Sequence, residues 1–143
     1  MNLIFRHLNI SDYHSNYFEL LSQLSIINNI DFNLFNQFIN KLNDNHQIII
    51  IQDLSTNKII GTGTIIIEYK IIHDFGCVAH IEDVVIDTSV RGCGIGYKLI
   101  NYLKEIAIKM KAYKIILDCS DMNTEFYIKC GFENKNNQMS IYL

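Results

Sequence analysis

Arg91-Gly92-Cys93-Gly94-Ile95-Gly96 is the segment of this 143-residue chain whose residue types point most directly to chemistry. Glycines let a backbone approach a ligand closely, and where such a run opens a helix, successive N–H groups and the positive helix end can hold a phosphate. It is not a Walker loop, because no Gly-Lys-Ser/Thr follows at the required spacing. Nor is it a dinucleotide fingerprint, because Tyr97 stands where a third glycine belongs. A strand-to-helix turn that uses glycine for geometry alone fits the same residues. Two adjacent acids, Glu82 and Asp83, interrupt the apolar run Val78 to Ile86, and strand alternation predicts one acid on each face of a sheet. Asp118 closes a further apolar run, where aspartate is also a common turn former. Cys77, Cys93, Cys119 and Cys130 form no C-x-x-C pair. The expectation is therefore no metal and four reduced thiols in a cytoplasmic protein, with no His or Asn placed by motif to activate any of them.

A loop of this kind needs a strand to deliver it and a helix to continue it. Val78 to Ile86 supplies the strand, and Ile95, Leu99, Ile100, Leu103, Ile106, Ala107 and Met110 mark a helix with one continuous apolar stripe. The pattern then predicts a short buried strand from Lys114 to Cys119, a short helix from Asn123 to Lys129 stopped by Gly131, and a terminal strand from Gln138 to Leu143. Upstream, Leu3 to His7 reads as a strand. A helix capped by Ser11 or Asp12 carries Tyr17, Leu20, Leu21 and Leu24, the stretch from Ser25 to Ile30 breaks it, and Asp31 caps a second helix bearing Phe35, Phe38, Ile39 and Leu42. Gln47 to Leu54 and Ile59 to Tyr69 read as a buried antiparallel hairpin across Ser55-Thr56-Asn57-Lys58, followed by an irregular stretch from Lys70 to Cys77. The alternation predicts a mixed α/β layer fold.

The length suits one domain over residues 1–143, and 49% apolar residues are enough for a core at that size. A net charge of −3 with scattered Lys and Arg argues against nucleic acid as a partner. The apolar runs are far shorter than the ~20 residues of a membrane helix, so no membrane partner is expected. The N-terminus does not read as a secretory signal.

Strand, R-x-x-G-x-G, long helix, strand and a helix bearing Phe126-Tyr127 together resemble the acetyl-CoA binding core of the GNAT acetyltransferase superfamily. The resemblance implies a mostly antiparallel sheet in which two parallel strands, Val78 to Ile86 and Lys114 to Cys119, splay apart for the pantetheine arm. It implies acetyl-CoA as cosubstrate, held by the backbone of Val84, Val85 and Ile86, by Arg91, Gly92, Cys93, Gly94, Ile95, Gly96 and Tyr97, and by Asn123 and Tyr127. Three further blocks are similar to glucosamine 6-phosphate N-acetyltransferases: His80-Ile81-Glu82-Asp83-Val84-Val85, Tyr113 to Cys119, and Phe126-Tyr127-Ile128-Lys129-Cys130-Gly131-Phe132. So is Ile66 to His73, a segment that in that family reaches across a dimer interface to the sugar phosphate.

That narrower resemblance implies Tyr127 as general acid toward the departing thiolate and Asp118 and Glu82 as carboxylates that handle the amine. Ser25, Lys70, His73, Glu82, Asp83, Tyr113 and Lys114 are then ligands of a small amino-sugar phosphate. It also implies a homodimer with shared active sites and a step toward UDP-N-acetylglucosamine. One departure stands out: the family often carries a basic residue in its terminal strand, where this chain has Met139-Ser140-Ile141-Tyr142-Leu143. Two rival readings are an acetyltransferase for another small amine or a protein lysine, and a non-catalytic acyl-CoA sensor.

Overall fold

The computed structural model describes residues 1–143. Five strands, β1 (Leu3–His7), β2 (His46–Asp53), β3 (Lys58–Tyr69), β4 (Cys77–Ile86) and β5 (Ala112–Ile116), lie side by side in that order. The first four pair antiparallel. β4 and β5 are parallel because helix α4 (Ile95–Lys109) carries the chain back between them. Helices α1 (Tyr17–Leu21) and α2 (Phe32–Ile39) cover the opposite face, and two short ones complete the chain: α3 (Ile72–Phe75) and α5 (Thr124–Lys129).

The unbroken Ile48-Ile49-Ile50-Ile51 run reflects burial on both faces. Ile49 and Ile51 pack toward Leu99, Ile100 and Leu103 of α4, whereas Ile48 and Ile50 pack with Tyr17, Leu20 and Phe35. The sheet is therefore a rigid middle layer whose β4–β5 end carries the loop and acids of interest.

Three expectations need correction and one needs detail. The first helix breaks in two: a 3₁₀ turn (Ile10–His14) is capped by Asn9 rather than by Ser11 or Asp12, and α1 follows separately. Asn16 causes the break, because its side-chain amide accepts from Ile59 N–H at 2.9 Å and donates to Ile59 C=O at 2.8 Å, tying the chain to β3. The stretch after Lys70 is irregular in backbone but closes one tight turn, α3, in which His73, Asp74 and Phe75 have left-handed φ of 55°, 55° and 58°. The strand expected over Lys114–Cys119 is shorter and earlier, and it is an edge strand with Tyr113, Lys114 and Ile116 exposed. Gln138 to Leu143 forms no strand and is exposed throughout, having no neighbour to pair with.

Candidate active site

β4 ends at Ile86 and passes through a 3₁₀ turn (Thr88–Val90), where Ser89 N–H donates to the Asp87 carboxylate at 2.9 Å, before reaching the glycine loop. Arg91 Nε donates to the Ile86 carbonyl at 2.9 Å and folds the loop back onto the strand end. Gly92 and Gly94 both adopt left-handed backbone, with φ of 79° and 75°, and Gly94 occupies the N-cap of α4 without any side-chain cap. The first N–H groups of the helix, at Ile95, Gly96 and Tyr97, thus lack intrahelical acceptors and sit at the positive end of the dipole. A Cβ at Gly92 or Gly94 would meet nothing within 4 Å, so the loop front is open. Gly96 differs: a Cβ there would lie 3.1 Å from Phe126 Cζ, and its absence lets α5 dock against the start of α4.

Beside this loop the parallel pair comes apart. β4 and β5 are in register only from Cys77 to His80, the last pair being His80 with Ile116. Beyond it, β4 keeps β3 on one edge as far as Ile86 but has no strand on the other, so alternate main-chain groups from Ile81 to Ile86 face a gap. Asp83 lies at a register shift against Thr62 and Thr64 and has φ of 50°, a bulge in a strand that is otherwise regular.

The bulge overturns the expectation of one acid per face. Ile81 and Val84, three residues apart, both reach the α4 core, while Val85 packs with the α1–α2 core, so the alternation slips by one residue. Asp83 accordingly shares a cavity with Thr62 and Thr64, and Glu82 is paired with Thr64 on that same side. Partial burial first, then the charges of Asp118 and Asp83, raise the Glu82 carboxyl above its ordinary range, with His80 opposing. Asp118 does not end a strand. It lies two residues past β5, exposed, in the segment that diverges from β4.

Tyr127 projects from α5 and is half-buried, with ring centroids 5.0 Å from Phe126 and 6.0 Å from Phe132. Burial, assisted by Cys119, Cys130 and Asp118, pushes its hydroxyl up to about 12, so it remains a proton donor at neutral pH. Glycine loop, strand gap, Glu82, Asp118 and Tyr127 therefore converge. Cys119 is exposed nearby, with Sγ 4.0 Å from Thr124 Oγ1, and Cys130 is buried; all four cysteines are free. Asn123 stands at the N-cap of α5 with its side chain making no cap bond, and so is free to meet a ligand at that end.

The remaining candidates lie elsewhere. Lys70, His73, Tyr113 and Lys114 gather where β3 turns into β4 and β5 begins, with His73 and Tyr113 rings 4.2 Å apart and Lys114 Nζ 5.8 Å from the Tyr113 ring. From Cys77 to Val84 is seven extended residues, about 23 Å along β4, and the pairing of Lys114 with Val78 puts Lys114 level with a point four residues before Glu82. Lys70 is paired with Glu68, which also meets His80 Nε2 at 2.8 Å, a network with no signature in sequence because it depends on strand register. Ser25 is exposed in the connection after α1. Gln23 holds that connection over the β4 end, donating to the Asp87 carboxylate at 3.0 Å and accepting from Thr88 N–H at 2.9 Å. A lone loop glutamine gives no hint of this latch.

The acetyltransferase (GNAT) family profile matches residues 7–132. A glucosamine 6-phosphate N-acetyltransferase of Dictyostelium discoideum is 43% identical over 142 residues, covering 97% of this chain and 90% of that protein. One from Arabidopsis thaliana is 40% identical over 140 residues, covering 96% and 94%. The crystal structure of glucosamine-6-phosphate N-acetyltransferase from Arabidopsis thaliana superposes with a TM-score of 0.95 at 38% identity, covering 99% of each chain.

Proposed function

The chain belongs to the GNAT acetyltransferase family, and from that premise we propose that it transfers acetyl from acetyl-CoA to the 2-amino group of glucosamine 6-phosphate. The observation that carries this reading is the unzipped end of β4–β5, which opens beside an uncapped, glycine-fronted helix and is flanked by two carboxylates and a protonated phenol. The amino sugar follows from the full-length similarity to relatives bearing that activity in their names.

Acetyl-CoA fits the residues present. Its pyrophosphate has the N–H groups of Gly92 to Gly96, its pantetheine amides have the unpaired edge of Val84 to Ile86, and Arg91, Tyr97 and Asn123 border the same opening. When bound, it supplies the activated acetyl group. The acceptor arrives as an ammonium, which Glu82, Asp83 and the nearby Asp118 attract. Glu82, with its raised proton affinity, is suited to take the proton from nitrogen so that the lone pair can reach the thioester carbon. A main-chain N–H near Val84 donates to the carbonyl oxygen as negative charge grows there, and Tyr127 O–H donates to the sulfur that departs. None of these steps needs a metal or an acyl-cysteine.

In the same reading the enzyme is a cytoplasmic homodimer in the route to UDP-N-acetylglucosamine. Lys70, His73, Tyr113 and Lys114 of one subunit hold the phosphate for Glu82 and Tyr127 of the other, with Ser25 contributing a hydroxyl. Supporting this is the exposure of Ile71, Ile72 and Phe75, at 82%, 64% and 79%, on the turn that bears His73. Free thiols agree with a reducing compartment. The test is thiol release from acetyl-CoA with glucosamine 6-phosphate, a polyamine and a lysine peptide as acceptors. Turnover with the amino sugar and an acetylated sugar product by mass spectrometry are expected; faster turnover of the polyamine or peptide overturns the assignment.

A further inference from the structure

We propose that Lys104 of α4 is a positioning residue for Tyr127, a clamp that fixes the far end of α5 and with it the phenol. α5 has six residues, and Asn123 at its N-cap makes no side-chain cap bond. A helix that short does not hold itself in water, so its place depends on what it is tied to. One tie is the Phe126 ring seated over Gly96 at the start of α4. The other lies eight residues further along α4, about 12 Å away at the helical rise per residue. There Lys104 Nζ donates to the Cys130 carbonyl at 2.8 Å.

The main chain alone does not satisfy this helix end. Cys130 N–H donates to the Phe126 carbonyl at 3.1 Å, Gly131 N–H to that of Ile128 at 2.9 Å and Phe132 N–H to that of Tyr127 at 3.0 Å. The Cys130 carbonyl has no main-chain donor, and Cys130 is only 2% exposed, so the ammonium supplies the bond that water cannot. Lys104 takes part in no ion pair, and its charge is directed at the last carbonyls of a helix, where a cation is favoured. The same bond sets the turn that follows. Gly131 has left-handed backbone, with φ of 92°, and swings the chain so that the Phe132 ring centroid comes 6.0 Å from that of Tyr127. A Cβ at Gly131 would lie 3.6 Å from Lys104 Nζ, which puts the cation against the turn itself. Cys130, Gly131 and Phe132 thus wrap Tyr127, starting from the carbonyl that Lys104 holds. Without the donor a buried carbonyl would be left unpaired, and the end of α5 would shift to reach water, taking Tyr127 with it.

Lys104→Met keeps the apolar stem and removes the donors, whereas Lys104→Arg keeps a cationic donor. In NMR spectra of the ligand-free protein the ring carbons of Tyr127, assigned by their loss in Tyr127→Phe, should carry shifts from the rings of Phe126 and Phe132, 5.0 and 6.0 Å away. Lys104→Met should move these resonances toward those of an exposed tyrosine, and Lys104→Arg should leave them near their native positions. The kinetic consequence rests on the function proposed above, in which Tyr127 assists the departing thiolate. Under conditions where chemistry limits turnover, Lys104→Met should lower kcat about tenfold with an unchanged KM for glucosamine 6-phosphate, and Lys104→Arg should restore most of it. In a Tyr127→Phe chain, which lacks the hydroxyl, Lys104→Met should cost nothing further. Unmoved Tyr127 resonances, an unchanged kcat, an equal loss of kcat with and without the Tyr127 hydroxyl, or Lys104→Arg behaving as Lys104→Met overturns the proposal. Resonances that move in Lys104→Met and are held in Lys104→Arg, in a protein that acetylates no amino sugar, retain the clamp and contradict the proposed function alone.

Discussion

At Tyr127 burial against Phe126 and Phe132, with the neighbouring Cys119, Cys130 and Asp118, pushes the phenol up from its ordinary value to about 12, so it stays the O–H donor that a departing thiolate requires. Tyr127→Phe should therefore lower kcat by about 10²–10⁴-fold while leaving acetyl-CoA affinity by calorimetry nearly unchanged, because loop and gap are untouched. An unaltered kcat under conditions where chemistry limits turnover would reduce Tyr127 to packing. Glu82 is tuned in the complementary sense, toward accepting a proton, and this has a thermodynamic sign. Its pKa is higher in the fold than in the unfolded chain, so its stabilising contribution is complete below the ordinary carboxylate value. That contribution is lost as pH rises toward the raised one, and above that the ionised group opposes folding. Glu82→Gln should thus raise Tm near pH 7, by no more than about 2 °C for a group so incompletely desolvated, and the two proteins should converge near pH 4. The same variant should lose kcat/KM at neutral pH. A lower Tm at pH 7 would contradict the electrostatic account.

The element that sets Tyr127 in place is the contact of α5 with α4, made through Gly96 and Phe126. Gly96→Val should destabilise the protein by about 1–3 kcal/mol through overpacking and depress kcat, and shortening the opposing ring with Phe126→Leu in the same chain should restore part of both. Denaturant midpoints and steady-state rates of the single and double variants check this; strict additivity would show that the contact does not position α5. Much at this scale was legible in the sequence, because helix α4, the Ile-rich hairpin, the Asp31 cap and the glycine loop each combine a strong periodicity with a local stop signal. What could not be read depends on partners distant in sequence. Asn16 breaks the first helix through Ile59, Gln23 latches onto Asp87, and a bulge opposite Gly63 turns Asp83 to the side of Thr64. The terminal residues have the β pattern of Ile141 and Tyr142 and yet no strand beside them, since periodicity describes a face but supplies no neighbour.

On the scale of the whole molecule, one chain carries the His73–Tyr113 pair toward the start of β4 and the glycine loop toward its end. If inactive Tyr127→Phe and inactive Lys70→Ala proteins are mixed and allowed to exchange subunits, about half of the dimers become mixed and each contains one intact site, so roughly a quarter of all sites should recover activity. Verified exchange without recovery would place Lys70 in its own subunit's site or outside any site. The phosphate is what distinguishes the proposed acceptor from other amines, and the proposed site offers it Lys70, His73 and Lys114 with no cation in the terminal residues. The most direct measurement is the ratio of kcat/KM for glucosamine 6-phosphate to that for glucosamine with acetyl-CoA as donor. Charge-assisted bonds of about 1.5–3 kcal/mol predict a ratio of at least about ten in favour of the phosphorylated sugar, and equal values for the two sugars would contradict the assignment.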